Sequence, residues 1–434
     1  MDTLPLPARP NLEQYRKRAK DLVAAARSSD ESAVHAWAAH WLRALAASLG
    51  LTPSPFVQQS MERASAEIER RVRRETSRAT SFTLADAQHL IAQAHGFENW
   101  ARFAEHLRRQ AHGDSPFEAA ADAVVHGDVA TLERLLSTDP ALVRARSERV
   151  HRATLLHYVA ANGVEDFRQR TPPNAVTVAR LLLERGADVD ALASSYGADR
   201  YQTTMNLLVS STHPASAGVQ SLLVETLLDF GAAIDGLDGD SSPLMTALAF
   251  GYRDAAETLV ERGARVDGIV AAAAMGRADL VARMMLDGST LAPGTRLVGP
   301  IWFRLPADPK LHIELGFVWA CKLGRADVAH LMLDRGVSPH ARDNHDMTAL
   351  HWAAASGLAT VVDRLIATGA PLEARNHWGG TVLTSTLHFA FYMPYAGVDY
   401  VPIIAQLVNA GADVAAVDPF PTGNAVIDGV LRPS

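Results

Sequence analysis

Seven stretches of this 434-residue chain repeat one pattern: an apolar helix, a short turn, a second helix ending in Leu-Leu, and a Gly-Ala-x-Val stop. The clearest copy runs Met347-Thr348-Ala349-Leu350-His351-Trp352-Ala353-Ala354-Ala355-Ser356-Gly357, then Thr360–Ile366, then Gly369-Ala370-Pro371-Leu372. A unit of about 33 residues that cannot bury its own apolar face must stack on its neighbours, so the pattern predicts a solenoid. In this copy Thr348 is placed to cap the first helix, and the small Ala353 and Ala354 let adjacent first helices approach closely. Val361, Val362, Leu365 and Ile366 form a stripe at helical spacing, and Gly369 supplies a left-handed stop.

The spacing of the stop glycines shows where the array is irregular. Gly231 to Gly263 is 32 residues and Gly336 to Gly369 is 33, whereas Gly186 to Gly231 is 45 and Gly369 to Gly411 is 42. The extra residues fall between first and second helices, at 164–175, 212–218 and 392–400, which predicts insertions on one rim opposite the extended fingers. A fourth insertion, 288–313, stands where a finger belongs. It carries Trp302 and Phe303; long loops in a compact array are usually functional or disordered, and the aromatics favour order here.

Thr348-Ala349-Leu350-His351-Trp352-Ala353 resembles the Thr-Pro-Leu-His-x-Ala text of the ankyrin repeat. So do Thr154-Leu155-Leu156-His157-Tyr158-Val159 and the degraded Ser242-Pro243-Leu244-Met245-Thr246-Ala247. The resemblance covers residues 116–414 and implies an all-α ankyrin-repeat solenoid of seven to eight irregular repeats. It also implies that His157 and His351 hydrogen-bond locally and tie adjacent loops. The first repeat, at Phe117–Leu136, reads as a polar-faced cap, and Thr422–Leu431 as a short closing helix.

Residues 1–112 form a separate helical region, with 113–434 as the array. Residues 11–50 and 56–112 read as helices parted by Thr52-Pro53-Ser54-Pro55, and the region resembles the helical leader of many bacterial ankyrin-repeat proteins. Arg70-Arg71-Val72-Arg73-Arg74 is interleaved with Glu67, Glu69 and Glu75, which predicts a salt-bridged helix face rather than a nucleic-acid surface. Charge supports this. Residues 1–115 carry 16 basic and 13 acidic side chains and the remainder 25 and 35, so the formal −7 divides into +3 and −10. An acidic array is a poor phosphate binder, and nucleic acid is excluded as a partner. One cysteine, Cys321, fits a reducing compartment and reads as core packing. With no run of ~20 apolar residues and no secretory signal, a cytoplasmic chain without a membrane partner is expected.

The polar clusters yield no catalytic centre, metal or cofactor. His340, Asp343, His345 and Asp346 align with a finger turn, where Asp and Asn are favoured. Asp235–Asp240 lacks the bidentate Glu of a calcium loop. The groove-facing column is more informative. Alignment on the turn glycines places Asp122, Tyr158, Leu207, Thr246, Ala271, Trp319, Trp352 and Ser385 there. One turn further come His126, Asn162, Ser211, Phe250, Met275, Leu323, Ser356 and Phe389. Trp319 and Trp352 are then expected about 10 Å apart on the groove, the spacing of packed helices. Insertion 288–313, folding over, is the alternative that buries them.

The resulting expectation is a non-catalytic protein that holds a partner protein or peptide. Its anchors are Tyr158, Thr246, Phe250, Trp319, Trp352 and Phe389 on the groove and His377 and Trp378 on the last finger. The alternative is a small-molecule site or enzyme roofed by Trp302, Phe303 and Phe391–Tyr395, with His388, Lys322, His312 and Glu314 as its polar groups.

Overall fold

In the computed structural model, the structure describes every residue except 1–2, 8–9, 52–54, 79–80, 114, 166, 197–199, 241, 301–304 and 433–434. Trp302 and Phe303 therefore lie outside the described residues. The chain divides into two compact units, 1–233 and 234–434, and the fold is an all-α ankyrin-repeat solenoid. Among the described residues the one sheet is a finger hairpin, Ala193–Ser195 paired antiparallel with Arg200–Gln202.

The first unit opens with five helices: Leu12–Ala26, Ala33–Ser48, Pro55–Arg78, Leu84–Ala94 and Trp100–Ala111. The two long helical runs expected here are broken further, by Ser- and Asp-rich turns at 27–32 and by Gly96. Local capping explains the restarts. Asn11 Oδ1 accepts from Glu13 N–H, Asn99 Oδ1 from Arg102 N–H, and Thr83 and Asp86 form a reciprocal capping box. Tyr15, Leu22, Trp41, Leu42, Ile91, Phe97 and Phe103 meet in one core. The basic run is paired as its interleaving demands. Arg70 and Arg71 each reach Glu67 at 2.8 Å, Arg73 reaches Glu69 at 2.6 Å, and Val72 turns inward.

Three helix pairs follow in this unit. They are Pro116–His126 with Val129–Thr138, Leu155–Val159 with Ala175–Glu184, and Thr204–Leu208 with Gln220–Asp229. The first buries Glu118, Ala120, Ala121 and Val124 and leaves Glu133 and Arg134 of its second helix exposed. Insertion 164–175 folds back onto the first five helices instead of standing on a free rim. Phe167 joins their core, Glu165 bridges the backbone of Thr3, and Arg170 donates to the Leu49 carbonyl at 3.4 Å. Gly96 marks the crossing point. It has φ +76°, and a Cβ there would stand 2.6 Å from Thr3 Cγ2 and 3.3 Å from Arg149 Cβ.

The second unit has five pairs. Their first helices are Ser242–Phe250, Gly268–Ala274, Pro309–Lys322, Ala349–Ala355 and Val382–Tyr392. The second helices are Arg253–Glu261, Ala278–Met284, Ala326–Asp334, Ala359–Ala367 and Tyr400–Asn409, and Ala425–Leu431 closes the unit. Alanine permits the close stacking: Ala271, Ala273, Ala320, Ala353 and Ala354 are fully buried. Gly316 is tighter still, since a Cβ there would come within 3.2 Å of the Ile269 carbonyl. The end of insertion 288–313 is helical, because Pro309 begins the first helix early and Asp308 caps it by accepting from Lys310 N–H at 2.9 Å.

Candidate functional site

The two threonine–histidine pairs set the geometry of the first helices. Thr348 N–H and its hydroxyl both donate to His351 Nδ1, at 3.2 and 2.7 Å. That fixes the ring proton on Nε2, which donates to the Gly380 carbonyl of the next finger at 3.4 Å. Thr154 and His157 repeat the arrangement at 3.1 and 2.8 Å. Burial lowers both imidazoles to about 4, so they stay neutral.

The column expected to face the groove is mostly interior. In the second unit Trp319 is 2% exposed and Trp352 9%, with Thr246, Ala271 and Ser385 also buried. The cause is visible at Trp352. Its Nε1–H donates to Asp343 Oδ2 at 2.8 Å, Lys322 Nζ sits 4.9 Å from its ring centroid, and Phe389 packs at 5.7 Å. Neighbours one repeat away on each side thus close over the indole. Asp343 also accepts from His345 N–H at 2.9 Å and Met347 N–H at 3.1 Å, so this carboxylate is spent on the turn and the indole.

One helical turn further on, the column opens only in part: Leu323 is buried, Met275, Ser356 and Phe389 are half-buried, and Phe250 is open. Phe250 is 49% exposed and stacks parallel to Tyr252 at 6.5 Å, and Phe389 meets Tyr395 at 5.9 Å. Insertion 392–400 is clamped in place, because Tyr400 OH donates to the Ala355 carbonyl at 2.9 Å and accepts from Tyr395 N–H at 3.0 Å. Its rim is open. Phe391, Tyr392 and Met393 are exposed, Tyr392 at 74%, and His388, also exposed, meets Tyr392 at 5.2 Å.

On the last finger Trp378 is 69% exposed. His345, from the preceding finger, stacks on it at 5.3 Å, and His377 meets it edge-on at 5.7 Å. His377 N–H donates to the His345 carbonyl at 2.9 Å, and Trp378 N–H donates to Asn376 Oδ1 at 3.0 Å. Two fingers therefore hold one indole by stacking and backbone hydrogen bonds while leaving most of it to solvent.

The polar groups of the small-molecule alternative do not converge. His312 is buried, with Nδ1 on the Asp308 carbonyl at 3.0 Å, and Glu314 pairs with Lys310 at 3.8 Å. Lys322 lies on the same helix, ten residues beyond His312, so the helical rise sets them about 15 Å apart. His388 sits on another first helix, at the aromatic rim.

Tyr158, in the first unit, is buried rather than an anchor. Its hydroxyl donates to Glu165, and the Arg168 guanidinium lies over its ring at 5.3 Å. It belongs to a buried charge network that sequence reasoning missed. Arg168 reaches Glu118 at 2.8 Å, Glu165 at 3.1 Å and Asp122 at 2.9 Å, and Arg149 reaches Glu165 at 3.0 Å. Burial raises the Glu165 carboxyl, but Arg149 and Arg168 outweigh it and hold the group well below the usual carboxylate range. Burial also lowers His106 and His151, which flank the network. Arg149 Nη1 further donates to the Leu4 carbonyl at 3.2 Å, tying the finger to the leader. Partners 31 and 50 positions apart leave no periodic trace; the one cue was a Glu and an Arg beside Phe167 in the insertion.

Comparison with known proteins falls on the best-formed repeat. Residues 345–377 match the ankyrin repeat. That stretch holds His345, the Thr348–His351 pair, Trp352 and His377, so the stacked finger and the buried indole belong to one repeat and its exit. A curated relative, the potassium channel KOR2 of Oryza sativa subsp. japonica, is 43% identical over 60 residues, 14% of this chain. The match spans only 8% of the length of that relative. Among solved structures, the human ASB11 ankyrin repeat domain aligns over 68% of this chain and 98% of its own, at 19% identity and TM-score 0.31.

Proposed function

We propose that this chain is a non-catalytic interaction protein that holds a partner protein or peptide through the finger loops and open groove wall of its second unit. The observation that carries the reading is Trp378: a mostly exposed indole held in place by His345 and His377. An aromatic side chain already ordered in the free protein loses little entropy on binding and buries a large apolar area, the profile of a dominant contact residue. Phe250, Phe389 and the Phe391–Met393 rim supply a second apolar surface in the same unit. The leader, 1–112, anchors the start of the array, 113–434, in a cytoplasmic setting consistent with a single cysteine. The buried Tyr158, Thr246, Trp319 and Trp352 shape this reading through stability, not contact.

The test is selection of peptides from a random display library against the full chain, followed by titration of the selected peptides into Trp378→Ala and Tyr392→Ala. Selected sequences that bind both variants as tightly as the parent would remove the proposed surface.

A further inference from the structure

Only four of the 41 basic residues of this chain are lysines: Lys17, Lys20, Lys310 and Lys322. The first three are exposed and strongly hydrated, as lysine ordinarily is. Lys322 differs in every physical respect. It ends the first helix of its repeat half-buried, with Nζ donating to the Ala249 carbonyl and lying 4.9 Å from the Trp352 ring centroid. No carboxylate among the described residues forms an ion pair with it, and Asp343 acts on it only at a distance. The polar groups nearby go to backbone: Ser356 Oγ donates to the Lys322 carbonyl at 2.9 Å and the Arg253 guanidinium to the Leu323 carbonyl. Phe250 follows the accepting residue, a Cβ on Gly251 would stand 3.7 Å from Lys322 Cε, and Phe389 packs on the indole at 5.7 Å.

A carbonyl oxygen and an aromatic face stabilise an ammonium less than the water they replace, so this niche favours the neutral amine. Burial accordingly lowers the group to about 8, with Asp343 opposing the shift. The single hydrogen bond to Ala249 uses one N–H. Once the extra proton is lost, the lone pair is left for an electrophile.

We infer that Lys322 is a nucleophilic amine in the second unit, placed to condense with a small aldehyde that enters past the exposed Phe250. In the step, the Nζ lone pair attacks the carbonyl carbon and the carbonyl π pair moves to oxygen. A proton passes from nitrogen to that oxygen to give the carbinolamine. Loss of water then forms the imine, so amine plus aldehyde gives imine plus one water, with no oxidant or reductant consumed. This inference stands apart from partner binding and does not require it.

The experiment treats the full chain with benzaldehyde and sodium cyanoborohydride, which traps each imine as a benzylated amine, and maps the four lysines by peptide mass spectrometry. At pH 7.5 Lys322 is expected to label at least ~10-fold faster than Lys17, Lys20 or Lys310, because a pKa near 8 leaves far more neutral amine than the ordinary value near 10.4. The Lys322 rate should level off above pH 8 while the others keep rising, and the preference should vanish in guanidinium chloride. Lys322→Arg, which keeps the cation over Trp352, should abolish the fast component without altering thermal unfolding. Labelling of Lys322 at or below the rate of the exposed lysines, or a preference that survives denaturation, overturns the inference.

Discussion

At the scale of single residues, exposure separates tryptophans that sequence spacing treats alike. Trp352 has its indole N–H on Asp343 and is covered by Lys322 and Phe389, whereas Trp378 is stacked on His345 and left open. Trp352→Ala should therefore act on stability. Removing a buried indole leaves a cavity and takes one donor from the Asp343 carboxylate, a loss of about 3 kcal/mol by urea denaturation. An unchanged denaturation midpoint would show that the ring is not part of the core. The threonine–histidine pairs were legible from six-residue motifs because threonine and histidine stand three positions apart; the Gly380 carbonyl that takes the His351 ring proton lies 29 positions on. The fate of Trp352 was not legible, because it depends on side chains 30 and 37 residues away.

At the scale of elements, the helix pairs were legible because each follows from local periodicity and a stop glycine. The insertions were legible in position but not in destination. Insertion 164–175 was expected on a free rim, yet Phe167 enters the core of the first five helices and Glu165 and Arg168 complete a buried charge network with Glu118 and Arg149. A buried network of this kind is costly to interrupt, since removing one ion strands its counter-charge. Arg149→Met should therefore destabilise the first unit by about 3–5 kcal/mol and raise hydrogen exchange in both the leader and residues 155–184. Faster exchange confined to the finger around residue 149 would mean that the network does not couple leader to repeats.

At the scale of the whole molecule, the two units should respond differently to acid. In the first unit burial lowers His95 to about 3 and His157 to about 4, and it also lowers His106, His151 and His213. In the second, His351 is the one histidine so lowered among the described residues. A histidine kept neutral in the fold titrates near 6.5 when unfolded. Below that value the unfolded chain binds more protons, and stability falls as pH falls. His95, His157 and His351, lowered to about 3, 4 and 4, each remove about 1.4 kcal/mol between pH 7.5 and 5.5, and the others add to the loss in the same direction. The depressed Glu118 and Glu165 carboxyls add to the loss only at lower pH, as pH falls below their unfolded value toward their folded one. Hydrogen exchange of the full chain at the two pH values should show residues 1–233 losing more protection than residues 234–434. Equal losses would contradict the assignment of neutral buried imidazoles.

The proposed recognition of a partner by the second unit rests on Trp378 and on the open aromatic residues of the same unit. Calorimetric titration of a selected peptide into the parent chain and into Trp378→Ala tests it most directly. Affinity is expected to fall about 30-fold, or ~2 kcal/mol, with no change in thermal unfolding. Equal affinity for both proteins would contradict it.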